Sequence, residues 1–283
     1  MVVSIQKGYK KRNILSRLIA KLKAPIFGKT ISDKLKLVVL VSLALFYSVV
    51  LHSPMKNIAP MISSIKIRCH MNRSGYSFVV DNINHLYFVV NVFEDDEIEI
   101  IKKLDIDGVV IDVGAYIGTH SIPLASIPGV EKVVAIEPEA QNFSALQTNI
   151  KTNDLSNKII AVRMGAFSKN GKMTLFKSEG GSSGNSLVVK PMIILEKQEV
   201  EVKRLDDILA ELGLNVEKVS FVKVDTEGAE MHVFRGAKKI MKSHPKIVFE
   251  ALEERKFLEI RKYLGTLGYK KIKEINDRTY LAE

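Results

Sequence analysis

The stretch Gly108–Thr119, GVVIDVGAYIGT, decides the reading of this chain. Its first six residues are apolar but for Asp112, which predicts a strand buried on both faces. Gly114 and Gly118 then flank a tight turn, and Thr119–Ser126 predicts a helix with Pro123 in its first turn. Such a turn lets the backbone approach a ligand closely and aims N–H groups at it. Taken alone, a plain strand–helix joint would explain it equally. The spacing says more. A dinucleotide fingerprint reads GxGxxG and cradles a pyrophosphate. This stretch reads DxGxxxG, lacks the middle glycine, and puts a carboxylate at the strand end, which suits a cationic amino-acid ligand better than an anion.

Outward from this stretch the same unit repeats. Lys132–Glu137 (KVVAIE), Lys158–Arg163 (KIIAVR), Val219–Asp225 (VSFVKVD) and Lys246–Glu250 (KIVFE) predict further buried strands. Pro138–Asn153, Leu205–Leu212, Gly228–Met241 and Glu253–Gly265 predict helices between or after them, and two short strands follow around 271–275 and 279–281. Lys172–Phe176 and Gln198–Lys203 alternate in polarity and predict a hairpin inserted into the order. Upstream, Asp95–Leu104 predicts a short helix, and Ser77–Val80 with Leu86–Val90 predicts a β-hairpin turning at 81–84. The whole is an α/β fold, a doubly wound, mostly parallel sheet with helices on both faces. Ligands bind such folds at the carboxyl ends of the strands.

Three of those ends carry acids: Asp112, Glu137 and Asp225. Glu137, followed by Pro138, is placed to accept both hydroxyls of a ribose, although an acid at a helix start has the same look. Asp225 closes an apolar strand and is expected to point into the crevice. Glu227 and Glu230 fit a helix N-terminus as readily as a site. Convergence of Asp112, Glu137 and Asp225 on one cavity is the central expectation.

The 283 residues carry a formal charge of +10. Residues 1–36 hold ten Lys/Arg and one acid, Asp33, whereas the remaining 247 residues hold 32 Lys/Arg and 31 acids. A basic arm of residues 1–65 is therefore expected ahead of a nearly neutral domain, 66–283. That disfavours a nucleic-acid partner, which wants a basic cleft. Ile14, Leu15, Leu18, Ile19 and Leu22 recur at helical spacing among basic residues, a pattern fitted to an anionic membrane surface or a solvated tail. Leu37–Leu51 has fifteen uncharged residues, about 22 Å as a helix against a hydrocarbon core of about 30 Å. A helix lying in the interface or packed on the domain is expected, in a cytoplasmic protein peripheral to the membrane. Cys69 is the sole cysteine, and the six histidines lack ligand spacing, so no disulfide and no structural metal are expected.

VVIDVGAYIG, VVAIEPEAQNFSALQTNI and FVKVDTEGAEMHVFRGA together resemble the FkbM family of S-adenosylmethionine-dependent methyltransferases. VEVKRLDDIL and KIVFEAL match weaker family stretches, and the resemblance spans roughly 75–283. It implies a Rossmann-like class I methyltransferase fold and S-adenosylmethionine as cofactor. Asp112, Gly114, Ala115, Tyr116, Gly118 and Thr119 would hold its methionine end, Glu137 and Pro138 its ribose, and Gly165 and Ala166, with Phe167, its adenine. Tyr116 departs from the family, where Asn is common. Family members typically methylate a hydroxyl, which implies a small-molecule or glycan acceptor. Asp225 is the first candidate for a base, Glu227 the second, with His120 and His232 behind them. Ser121 either orients the loop or caps the helix. Ser178–Ser186 (SEGGSSGNS) reads as a lid or a hairpin loop. The competing readings are a nicotinamide-dependent oxidoreductase on a similar sheet and a non-catalytic, membrane-tethered methyltransferase-like module.

Overall fold

The computed structural model describes residues 24–51, 65, 67–90, 93–178, 185–189, 194–276 and 278–283. The amphipathic segment 14–22 and most of the 178–186 loop lie outside them. The centre is a seven-stranded sheet. We label its strands β3 (Gly108–Val113), β4 (Val130–Ile136), β5 (Ile159–Val162), β9 (Val219–Val224), β10 (Lys246–Glu250), β11 (Ile272–Asn276) and β12 (Thr279–Ala282). Their spatial order is β11-β12-β10-β9-β3-β4-β5. The strands from β10 to β5 are parallel, and β12 runs antiparallel between β10 and β11. β3 comes first in the chain among these strands yet sits in the middle. Its neighbour on one side is the next strand, β4, and on the other the much later β9. The order therefore reverses at β3, and a crevice opens at its carboxyl end.

Alternation along β3 builds two cores. Val110 faces one, with Val133, Ala135, Phe221 and Val248. Val109, Ile111 and Val113 face the other, with Val134, Ile136, Val222, Val224 and Phe249. The first face is covered by α4 (Ser121–Ala125) and α5 (Ala140–Thr152). The second is covered by α6 (Leu205–Glu211), α7 (Glu230–Gly236) and α8 (Glu254–Thr266). A small sheet is inserted after β5, ordered β6-β8-β7 from β6 (Gly165–Ala166), β7 (Gly171–Ser178) and β8 (Ile194–Lys203). Its β7–β8 pair is the expected antiparallel hairpin.

The expected hairpin of 77–80 with 86–90 is not what forms. β2 (Tyr76–Val80) pairs backward with β1 (Cys69–Arg73) through a turn at Ser74-Gly75, and Ile83–Val90 is a helix, α2. Asn82 decides this locally. Its side-chain oxygen accepts the N–H groups of Asn84 and His85, at 2.9 and 3.0 Å, and starts a helix where a turn was expected. Another helix, α3 (Phe93–Ile101), leads into β3. The free edge of β2 is satisfied by side chains of α5. Asn149 Oδ1 accepts the Val79 N–H at 2.6 Å, and Asn153 accepts from Ser77 N–H and donates to its carbonyl. Asn149 also donates to the Ile117 carbonyl, tying the hairpin to the glycine turn.

Helix α1 (Ile31–Leu51) packs on this hairpin and on α2. Thr30 and Asp33 cap it reciprocally. The Asp33 carboxylate accepts the Thr30 N–H, and Thr30 Oγ accepts the Asp33 N–H. The second Asp33 oxygen accepts the His70 N–H at 2.9 Å, fastening the helix to β1. Leu37, Leu40, Val41 and Ala44 continue the Asp33 stripe into the core with Cys69, Met71, Leu86 and Val89. The apolar run at 37–51 is thus a helix packed on the domain. Among the described residues, no helix is long and apolar enough to cross a membrane.

Truncating the buried face should cost much more than truncating the exposed one. Leu40→Ala is expected to lower unfolding stability by about 2–5 kcal/mol, and Val39→Ala by less than about 0.5 kcal/mol, in paired denaturant melts.

Candidate active site

The carboxyl ends of β3 and β9 meet backbone to backbone. Asp225 donates its N–H to the Val113 carbonyl at 2.9 Å, and its own carbonyl lies directly over Gly114. A Cβ on Gly114 would collide with that carbonyl, and its φ of +84° favours glycine independently. The Gly114 and Ala115 N–H groups bond the Ile136 carbonyl, and the Tyr116 N–H donates to Glu137 Oε2 at 2.9 Å. Tyr116 is held in the left-handed region at φ +53°, a conformation Asn adopts more readily than Tyr. Its ring is buried and packs edge-on to His85, which compensates locally.

The crevice is a cavity of about 230 Å³. Gly114, Tyr116, Thr119, Glu137, Pro138, Gly165, Ala166, Asp225 and Glu227 line it, as expected. Asp112, Ala115 and Gly118 do not. Asp112 lies fully buried behind the turn, where Oδ2 accepts the Ser121 hydroxyl at 2.6 Å. Ser121 therefore orients the strand end and gives no helix cap; no side chain caps α4. Gly118 packs against Leu146 and Ile122, and Ala115 is buried in the turn. Glu137 and Asp225 converge on the cavity, and the third expected acid supports them from behind. Phe167 turns away to stack on His232 at 4.2 Å, which also takes His232 from the site. His120 lines the cavity, with Nε2 3.2 Å from the Glu97 carboxylate of α3.

Several further residues line the cavity, among them Lys223, Glu250, Leu187 and Asn185, the last from the 178–186 segment read as a lid or hairpin loop. Glu250 closes β10 as Glu137 closes β4. The same rule, an acid ending an apolar central strand, identifies it in KIVFE. Lys223 interrupts FVKVD with a charge inside a central strand, also a legible signal. Asn185 and Leu187 carry no such signal, because the β7–β8 connection brings them over the site by tertiary packing. Ser186 fixes that connection by donating to the Glu227 carbonyl at 2.8 Å.

Charge is unevenly distributed in the cavity. Burial disfavours the Lys223 ammonium, but the carboxylates of Asp225, Asp112 and Glu97 outweigh it and raise its pKa. Its Nζ lies 3.1 Å from Asp225 Oδ2. Oxygens of Asp225, Glu227 and Glu250 lie within 4.8 Å of one another. Burial, then repulsion by Asp225 and Glu230, pushes Glu227 up to about 8. Burial, then repulsion by Asp225 and Glu227, pushes Glu250 up to about 8. Glu137 rises to about 7, mainly by burial, although the N–H groups of Glu139 and Tyr116 favour its anion. The loop presenting Glu227 is clamped by Glu230 Oε1, which accepts from Thr226 N–H, Thr226 Oγ and Gly228 N–H. Glu227 itself sits at φ +53°. Glu230 is thus a support for the site and does not line it.

These features define an α/β domain with a crevice at its switch point, lined by a glycine turn, the Glu137 carboxylate and a cluster of three further carboxyl groups. The sequence profile of the methyltransferase FkbM domain matches residues 112–271, and the chain belongs to that family of S-adenosylmethionine-dependent methyltransferases. This separates it from nicotinamide-dependent oxidoreductases. Among relatives, Methyltransferase 1 of Beauveria bassiana is 29% identical over 147 residues, covering 46% of this chain and 58% of that protein. The hexuronic acid methyltransferase AglP of Haloferax volcanii is 27% identical over 197 residues, covering 68% of this chain and 74% of its own. The crystal structure of methyltransferase FkbM from Methylobacillus flagellatus is 16% identical with a TM-score of 0.48, covering 95% of this chain and 60% of that one.

The residues present fit the family's cofactor. Gly114, Thr119 and Gly165 border the cavity, and Glu137 lines it with its carboxylate. Both polar atoms of the Asn185 amide are buried there without a hydrogen-bond partner, as befits a lining that awaits a polar ligand.

The raised carboxyls set a pH dependence. Their folded pKa values of about 7–8 exceed the ordinary 4.5, so the folded state favours the protonated forms. Stability is therefore fully present below about 4.5 and declines until about 8. The ligand-free protein should melt at progressively lower temperature as pH rises across that window, and Glu250→Gln should flatten the decline. A melting temperature indifferent to pH over this range would contradict the assignment.

Proposed function

We propose that the protein transfers a methyl group from S-adenosylmethionine to a hydroxyl oxygen of a sugar, glycan or other small polyhydroxylated acceptor. One observation carries this reading. One cavity is lined both by the glycine turn with Glu137 and by Asp225, Glu227 and Glu250. The name of the Haloferax relative, a hexuronic acid methyltransferase, supports a sugar acceptor.

When bound, S-adenosylmethionine supplies a methyl group already activated by a sulfonium. What remains for the protein is alignment and proton removal. Glu137 accepts hydrogen bonds from ribose hydroxyls, while Pro138, Gly165 and Ala166 flank the base. Gly114, Tyr116 and Thr119 border the amino-acid end, with Asp112, Ala115 and Gly118 shaping the turn beneath. Asp225, fixed by the Lys223 ammonium at 3.1 Å, accepts a hydrogen bond from the acceptor and orients it. Glu227 takes the proton, since a carboxyl titrating near neutrality is a better base than an ordinary one. Glu250 lies beside it, with carboxylate oxygens of the two and of Asp225 within 4.8 Å of one another. Bound S-adenosylmethionine would supply the methyl group to the acceptor oxygen, and Glu227 would pass the hydroxyl proton it has taken to water.

Calorimetry with S-adenosylmethionine tests the cofactor. Wild type should bind, and Glu137→Ala should bind on the order of 10–100-fold more weakly, as expected for loss of charged hydrogen bonds. Glu227→Gln should keep its affinity within a few-fold yet lose on the order of 10²–10⁴ in turnover. Acceptors are found by following labelled methyl into separated glycan, lipid and protein fractions, with neutral and acidic sugars compared. A folded protein that does not bind the cofactor would leave the non-catalytic reading in its place.

A further inference from the structure

The outer face of α1 is unlike any surface the catalytic reading uses. Its inner stripe, Asp33, Leu37, Leu40, Val41 and Ala44, is buried. Its outer stripe is apolar and exposed: Ile31 at 78%, Leu35 at 65%, and Val38, Val39 and Phe46 at 48–49%. At about 100° per residue, these five fall within an arc of about 100° opposite the buried stripe. Lys34 and Lys36, both exposed, fall one on either side of that arc, and exposed Lys29 precedes the helix. Ser42 lies inside the arc, but its hydroxyl is satisfied by the Val38 carbonyl at 2.9 Å, so it can enter an apolar medium at low cost. Asp33, the one acid in residues 1–36, is buried and committed to Thr30 and His70.

We infer that the outer face of α1 docks flat on an anionic membrane surface, with Ile31, Leu35, Val38, Val39 and Phe46 at the acyl boundary and Lys34 and Lys36 at the headgroups. An apolar arc flanked by lysines on both sides is the pattern of a helix lying in an interface, where long cationic side chains reach up to phosphates. Burial of the inner stripe against β1 and α2 fixes the helix parallel to the domain surface, so it lies and does not span. Charge selects the occupant. A second copy would bring lysines against lysines with no acid to pair them, and residues 1–23 carry seven further basic residues and no acid. An anionic headgroup layer complements both the face and the segment before it. The inference is independent of the reaction proposed above.

Flotation of the full chain with vesicles tests it. Vesicles of phosphatidylcholine with one third phosphatidylglycerol should carry the protein up the gradient, and phosphatidylcholine alone should carry much less. Leu35→Asp/Val39→Asp should weaken anionic-vesicle binding on the order of tenfold or more, as loss of two buried side chains implies. Because both positions are exposed, its thermal melt should match wild type. Lys34→Glu/Lys36→Glu should reduce the salt-sensitive part of the binding. No flotation of wild type on anionic vesicles would overturn the inference. So would undiminished binding by Leu35→Asp/Val39→Asp, which would assign binding to residues 1–23 alone. Sedimentation showing a wild-type dimer that the same variant splits would overturn it in favour of a second copy.

Discussion

The carboxyl ends of β3 and β9 touch through their main chains, and the site depends on that contact. Asp225 donates to Val113 while its carbonyl occupies the space a side chain on Gly114 would need. Two consequences follow from one close approach. The chain after β3 must turn through a glycine, and the turn is held by N–H bonds to the Ile136 carbonyl and the Glu137 carboxylate. The chain after β9 is fixed at Asp225, which aims the segment Asp225–Glu230 across the same crevice. The glycine turn and the Asp225–Glu230 segment are thereby set by the same backbone junction.

Electrostatics then gives the two ends different characters. One buried cation, Lys223, faces Asp225, Asp112 and Glu97. Glu227 and Glu250 are left with burial and repulsion, relieved in part by Arg278 from the β11–β12 turn and, for Glu227, by Lys223. The free protein therefore stores unfavourable charge in its cavity, and it does so on a loop already strained at Glu227. Such strain persists because Glu230 and Ser186 clamp the loop from two sides. A site that stores repulsion in this way gains most from a cationic ligand or from a proton donor such as an alcohol.

The amino-terminal elements connect to this centre by apolar and polar contacts together: Leu37, Met71, Phe78 and Leu86 share one buried core with Val110, Ile117 and Leu146. Asn149 joins the β1–β2 hairpin to the carbonyl of Ile117 in the glycine turn, and α2 places His85 against Tyr116. Helix α1 packs behind both. The family profile matches from Asp112 onward, and this layer precedes the matched region.

The sequence by itself determined the sheet, its helices and most of the cavity wall. The reason is that buried parallel strands need uninterrupted apolar runs, and acids at their carboxyl ends stand out against those runs. Glu137 and Asp225 were legible for that reason, and Glu250 and Lys223 were equally legible although they were passed over. Asp112 obeyed the same pattern, but strand alternation turns it to the side where Ser121 waits, a matter of packing. Whether Leu86–Val90 is strand or helix was undecidable from apolar content alone, and the Asn82 cap with the covering α1 settled it. Asn185 reaches the cavity only because the β7–β8 connection folds over it. Tertiary structure alone also decided which face of α1 is buried, since a run apolar on all sides has no inside until something packs against it.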